Sequence, residues 1–295
     1  MYYPPGNSPS RAISPTRYVG MAITGFVALA ALLALLAFRP AGAMEPLIYG
    51  DKVALVIGNG AYQNAPLRNP VNDANAVALA FKALGFQVHH HDNATHQEML
   101  DALRRFSQSA SRSEVRLLYF AGHGIQIKGR NYLLPVDADV KSEQEMMQRS
   151  IDITELLEQL ATIKGGINLV ILDACRVNPF NQTPTQLVDA RGYKTRSLGA
   201  RSLGLAAVQA PTGTIVAFST SPGSVATDST LRSNSIYTRH LLSHINVPGL
   251  PVEKLFKLVR TAVAAETQQM QVPWESSSLL GEYCFRTDAS GKCSG

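Results

Sequence analysis

Apolar positions along the chain fall into two kinds of pattern. Short runs rich in branched residues, Lys52–Gly58, Val115–Ala121, Ile167–Leu172 and Thr214–Ser219, read as strands buried on both faces of a parallel sheet. Phe86–His91 is a more polar strand, Leu279–Phe285 the sixth in chain order, and Asn131–Pro135 a short edge strand beside these six. Between them the apolar spacing becomes helical. One helix starts at Asn72 and Asp73, carries Val77, Ala80, Phe81 and Leu84, and stops at Gly85. The next carries Met99, Leu103 and Phe106 behind a Thr95–Glu98 capping box. Ser150–Ile163 is opened by Asp152 and Thr154 and closed by Gly165-Gly166, and Ile236–Ile245 and Pro251–Ala265 complete the set. Strands alternating with helices predict an α/β fold, a three-layer α/β/α sandwich around a mostly parallel six-stranded sheet.

Two stretches break the pattern. From Arg176 to Pro211 no periodicity survives, and a loop of that length inside a compact domain is functional or disordered. Near the start, Val19–Phe38 is an uncharged run of 20 residues, long enough to span a bilayer as a helix. Arg11 and Arg17 precede it and Arg39 follows it; Ala41-Gly42-Ala43 resembles a secretory cleavage site. Both readings, anchor or signal, place the remainder outside the cytoplasm: inner membrane-anchored or exported, with the folded domain in the periplasm. The expected organisation is a disordered 1–18, a membrane anchor or signal at 19–38, a linker at 39–50, a domain at 51–286 and a tail at 287–295.

Composition narrows the class. Of 295 residues, 45% are hydrophobic and 17% charged, as in a globular chain. The net charge of +5 is mild, and no Lys/Arg run or aromatic-interleaved basic stripe argues for nucleic acid. Three cysteines are present: Cys284 and Cys293 could pair in an oxidising compartment or stay free, and Cys175 is the thiol left over.

Cys175 follows the fourth predicted strand, and His123 lies in a Gly-His-Gly turn after the third. Ligands of open α/β sheets bind beyond the carboxyl ends of strands. A thiol becomes a good nucleophile as thiolate, and His123 is the base within reach of the same sheet edge. Backbone N–H groups at Gly124 and Cys175 could cradle an oxyanion, which is acyl-transfer chemistry. The competing accounts are a small buried cysteine and a loop histidine satisfied by backbone. Other signals are weaker. Gly58-Asn59-Gly60 lacks the third glycine of a dinucleotide loop. His89-His90-His91 alternate across a strand and so do not converge on a metal.

Ala121-Gly122-His123-Gly124, with Asp173-Ala174-Cys175-Arg176 at the characteristic spacing of about 50 residues, resembles the dyad of the caspase-like cysteine peptidases. The likeness is greatest to bacterial metacaspase-like proteins. It extends through Val56–Asn59, Asn69–Ala74, Gly129–Pro135, Phe218–Gly223 and Pro273–Ser277, in order, over residues 51–286. The resemblance implies the caspase-like sandwich, His123 as base and Cys175 as nucleophile. Caspases that cut after aspartate carry a neutral Gln two residues before the cysteine; here that residue is Asp173. Asp73 matches a second acid of the metacaspase pocket, and Asp228 falls where caspases place an arginine. Acids select a basic side chain and repel aspartate, so cleavage after Arg or Lys is expected.

Arg191, Lys194, Arg196 and Arg201, in the long loop, are then candidate self-cleavage sites. Position 70, a second cysteine in some metacaspases, is proline, and Val177 interrupts a tract that is polar in relatives. Many metacaspases need calcium, but Asp137, Asp139, Glu143 and Glu145 are too scattered to read as a site. The expected function is thus a cysteine endopeptidase acting on proteins or peptides, with no certain cofactor. A catalytically silent, membrane-tethered binding module is the alternative.

Overall fold

Seven residues, Lys52–Gly58 (β1), form the first strand, and the other parallel strands are laid down to either side of it. The computed structural model describes residues 1–2, 50–138, 142–176, 193–195, 205–221, 227–229 and 233–294, with 175–176, 193–195 and 227–229 given by backbone alone. The strands are β2 (Gln87–Asp92), β3 (Val115–Ile127), β4 (Arg130–Leu133), β5 (Ile151–Asp152), β6 (Ile167–Arg176), β7 (Tyr193–Thr195), β8 (Thr214–Phe218), β9 (Thr227–Ser229) and β10 (Trp274–Ser277). The main sheet runs β10-β8-β6-β3-β1-β2, all parallel except β10, while β4 and β5 attach antiparallel beside the far end of β3.

Alternation along the strands feeds two cores. Ala54, Val56, Leu117, Tyr119, Leu169 and Ile171 pack under α1 (Pro70–Ala83), α5 (Ile236–His244) and α6 (Val252–Glu266). The intervening Val53, Leu55, Leu118, Phe120, Val170 and Leu172 pack under α2 (His96–Ala110) and α4 (Ile153–Ala161). This is the three-layer α/β/α arrangement that the pattern predicts. Gly58 lets α1 start close against β1: a Cβ there would lie 2.5 Å from the Pro70 carbonyl oxygen and 2.6 Å from Ala74 Cβ.

Several expectations change. The sixth strand is Trp274–Ser277, not Leu279–Phe285. Tyr283, Cys284 and Phe285 are buried as irregular chain, and the Tyr283 carbonyl accepts from Val252 N–H (2.7 Å) at the start of α6. Pro70, at the first turn, starts α1 two residues before Asn72, a place where proline's missing N–H costs nothing. A short helix, α3 (Glu143–Gln148), precedes α4, which is itself capped by Asp152 accepting from Thr154 N–H. Most consequential, β3 and β6 do not end at Ala121 and Leu172. They continue together past β1 and β8, whose pairing stops at Gly58 and Phe218.

The segment expected as a C-terminal tail is tied back. Cys284 and Cys293 form a disulfide with a Cα–Cα distance of 5.6 Å. Inside its loop Asp288 accepts from Ser290 N–H and Oγ–H and Lys292 N–H, and these with the Ser294 hydroxyl hold its carboxyl well below the usual range. Ser294 N–H then donates to Gly249 O (2.9 Å). Closing a loop of this size stabilises by about 2–3 kcal/mol through the unfolded chain. Thermal melts with and without dithiothreitol should differ by about 5–10 °C; coincident melts would show that the bridge clamps nothing. Among the described residues no helix is long and apolar enough to cross a membrane, and the run at 19–38 lies outside them.

Candidate active site

Beyond Ala121 and Leu172, β3 and β6 run on as a ribbon without β1 and β8, with β4 joining β3 at Gly124, and His123 and Cys175 are register partners on it. Neighbouring strands lie about 4.8 Å apart, so the backbone alone brings these two positions together. Cys175 is therefore within a strand, not past its end, because its extended partner keeps pairing as far as Arg176. Gly124 follows on β3, opposite Leu133 of β4 and Arg176 of β6.

The loop after β1 builds the histidine's surroundings. His123 is 3% exposed, its ring packed on Tyr62 with centroids 4.3 Å apart. Tyr62 Oη accepts from His123 N–H (2.9 Å) and donates to Leu134 O (3.0 Å). Gly122 makes room: a Cβ there would sit 2.7 Å from Tyr62 Oη. The ring Nε2 lies 2.7 Å from the Ala65 carbonyl oxygen. A carbonyl only accepts, so the neutral ring carries its proton on Nε2 and its lone pair on Nδ1. Buried Asn59 ties this loop down, accepting from Ala94 N–H (2.8 Å) and donating to Leu134 O (3.1 Å).

Asp73 and Asp173 come together around one residue. Asp73, in the first turn of α1, is 1% exposed; its Oδ1 accepts from Ser235 N–H and Asn234 Nδ2, both at 2.9 Å. Asp173, 2% exposed at the start of the ribbon, accepts at Oδ2 from the Ser235 hydroxyl and from Thr238 Oγ1 (2.9 Å). Neither acid caps its own element. Burial first, then Asp73 and Asp173, push the Tyr119 phenol well above its ordinary range, so it stays a neutral donor. Its hydroxyl lies 2.6 Å from Thr238 Oγ1, and since Thr238 gives its proton to Asp173, Tyr119 donates to Thr238.

Asp228 is on β9, which pairs with β7 in a separate two-stranded sheet, directly opposite Lys194. No described contact joins it to the other two acids, though β9 lies against α5. Arg191, Arg196 and Arg201 lie outside the described residues. Of the acids considered for calcium, Asp137 accepts from His96 N–H (2.8 Å) and Glu145 is 3.7 Å from Arg149, while Asp139 lies outside the described residues; no group of three metal-ligating side chains forms among the described residues.

Residues 51–284 match the family model described as the caspase domain. The chain belongs to the caspase domain family. That makes it a member of a cysteine peptidase family, whose substrates are proteins. Over 135 residues the chain is 34% identical to mucosa-associated lymphoid tissue lymphoma translocation protein 1 of Homo sapiens and to its Mus musculus homolog. The match spans 45% of this chain and 16% of each relative. Tyr62, Ala65, Ser235 and Thr238 contact the candidate residues and were not singled out by the sequence. A signal for Ser235 exists, since it directly precedes a predicted helix as an N-cap serine would.

Proposed function

We propose that this chain is a cysteine endopeptidase that cuts after Arg or Lys. The observation that carries the reading is the convergence of two buried carboxylates, Asp73 and Asp173, on Ser235, at the foot of the ribbon that pairs His123 with Cys175. A buried acid pair offers a basic side chain a partner and repels aspartate. Asp228 is assigned to the same pocket.

In the proposed cycle, His123 takes the Cys175 thiol proton and the thiolate attacks the scissile carbonyl carbon. N–H groups of Gly124 and Cys175 hold the oxyanion. As it collapses, the carbon–nitrogen bond breaks and the imidazolium gives its proton to the leaving amine, leaving a thioester. Water, deprotonated by His123, then releases the acid product and the thiol. The Ala65 carbonyl supports this by fixing the ring tautomer and stabilising the imidazolium.

The register of Lys194 opposite Asp228 supports Lys194 as a self-cleavage site, alongside Arg191, Arg196 and Arg201. The Cys284–Cys293 disulfide supports export, with residues 19–38 as anchor or signal and the domain in the periplasm. Full-length protein assayed on fluorogenic peptides ending in Arg, Lys or Asp, with and without calcium, tests the function. Hydrolysis after Arg or Lys and none after Asp is expected. Cleavage after Asp alone would sink the acidic pocket, and silence on all three would favour a binding module.

A further inference from the structure

We propose that Ser235 is a specificity-determining positioning residue, a group that joins Asp73 and Asp173 into one receptor for a basic side chain. The proposal rests on the Arg/Lys reading above and names what holds that pocket in shape. Ser235 is the N-cap of α5, and capping asks only that its Oγ accept from Thr238 N–H, which it does at 3.0 Å. Two further bonds are not needed for a cap: its N–H donates to Asp73, on α1, and its O–H to Asp173, on β6. The two acids come from elements 100 positions apart in sequence, and Ser235 touches both.

Fixed donors matter here because two buried like charges repel. The N-terminus of α5 presents partial positive charge to both carboxylates. Thr238, backed by Tyr119, fills the same Asp173 oxygen that Ser235 reaches. That oxygen is therefore taken up by fixed donors, and among the described residues no hydrogen bond engages Asp173 Oδ1. Loss of the Ser235 hydroxyl leaves the dyad ribbon untouched and loosens one wall of the pocket. The consequence falls on binding of the basic side chain, not on the attack at the carbonyl.

Ser235→Gly isolates this, since glycine is nearly as good a helix start but carries no hydroxyl. Full-length wild type, Ser235→Gly and Ser235→Thr are compared on an Arg-ending peptide, with iodoacetamide alkylation of Cys175 as a readout of the dyad. Ser235→Gly should raise KM by about tenfold or more, the worth of one hydrogen bond to a charged group, with kcat nearly unchanged. Ser235→Thr should restore KM, and the alkylation rate should match wild type. Thr238→Val, which removes the other hydroxyl donor to Asp173, is an independent second variant with the same expected signature should Ser235→Gly not fold. An unchanged KM, or a fall in kcat at constant KM, overturns the assignment. A wild type that turns over neither Arg nor Lys peptides overturns the function itself and this role with it, a result distinct from turnover that ignores Ser235.

Discussion

Cys175→Ala should reduce turnover of Arg- and Lys-ending peptides by about 10⁴-fold or more, and His123→Ala should do nearly the same. Nucleophile and base act as a unit, so the double variant should be scarcely worse than either single one. The physical basis is the register of β3 and β6, which sets the two residues as direct neighbours on adjacent strands. His123 is further held by a ring contact with Tyr62 and by the Ala65 carbonyl, neither of which depends on Cys175. Cys175→Ala should therefore keep the wild-type melting transition, whereas His123→Ala, which empties a buried site and removes the Tyr62 and Ala65 contacts, should melt lower. Turnover in Cys175→Ala within tenfold of wild type would remove the thiol from the mechanism.

Asp173→Asn carries the second large effect. The substitution keeps the shape and still accepts from Ser235 and Thr238, but it removes one of two buried negative charges. Taking away one member of a buried, hydrogen-bonded charge pair costs about 2–5 kcal/mol, or about 30- to several thousand-fold in kcat/KM for an Arg or Lys peptide. A peptide with neutral Gln at that position should lose far less, which makes the ratio between the two the diagnostic quantity. Equal losses on both would mean that Asp173 supports the fold rather than selecting the side chain.

Much of this architecture is readable in the chain. Runs such as Leu169-Val170-Ile171-Leu172 are unbroken because both faces of the strand meet a helical layer, and such runs signal themselves. The edge strand Trp274–Ser277 is half-exposed and polar, so it has no such run, while Tyr283–Phe285 is apolar because it plugs a core without being a strand. The ribbon escapes the pattern for a related reason. Gly-His-Gly and Asp-Ala-Cys-Arg carry no apolar signature, and their extension depends on each pairing with the other. His123 and Cys175 were legible because each follows a strong strand in a small-residue setting. Ser235 was not, because its importance lies in contacts to residues far away in sequence that periodicity does not report. Ala65 escapes any reading of side chains, since it contributes a carbonyl.

The sheet order has a consequence for a chain cut in the basic loop. Breaking any peptide bond between Arg176 and Leu205 would leave His123, Cys175, Asp73 and Asp173 on the first fragment, and Ser235 and Thr238 on the second. The fragments would not part, because β6 of one lies hydrogen-bonded along β8 of the other, in the middle of a shared sheet. A nicked molecule would therefore run as two bands on a denaturing gel and as one particle in native buffer. Its pocket would be a joint product of two polypeptides.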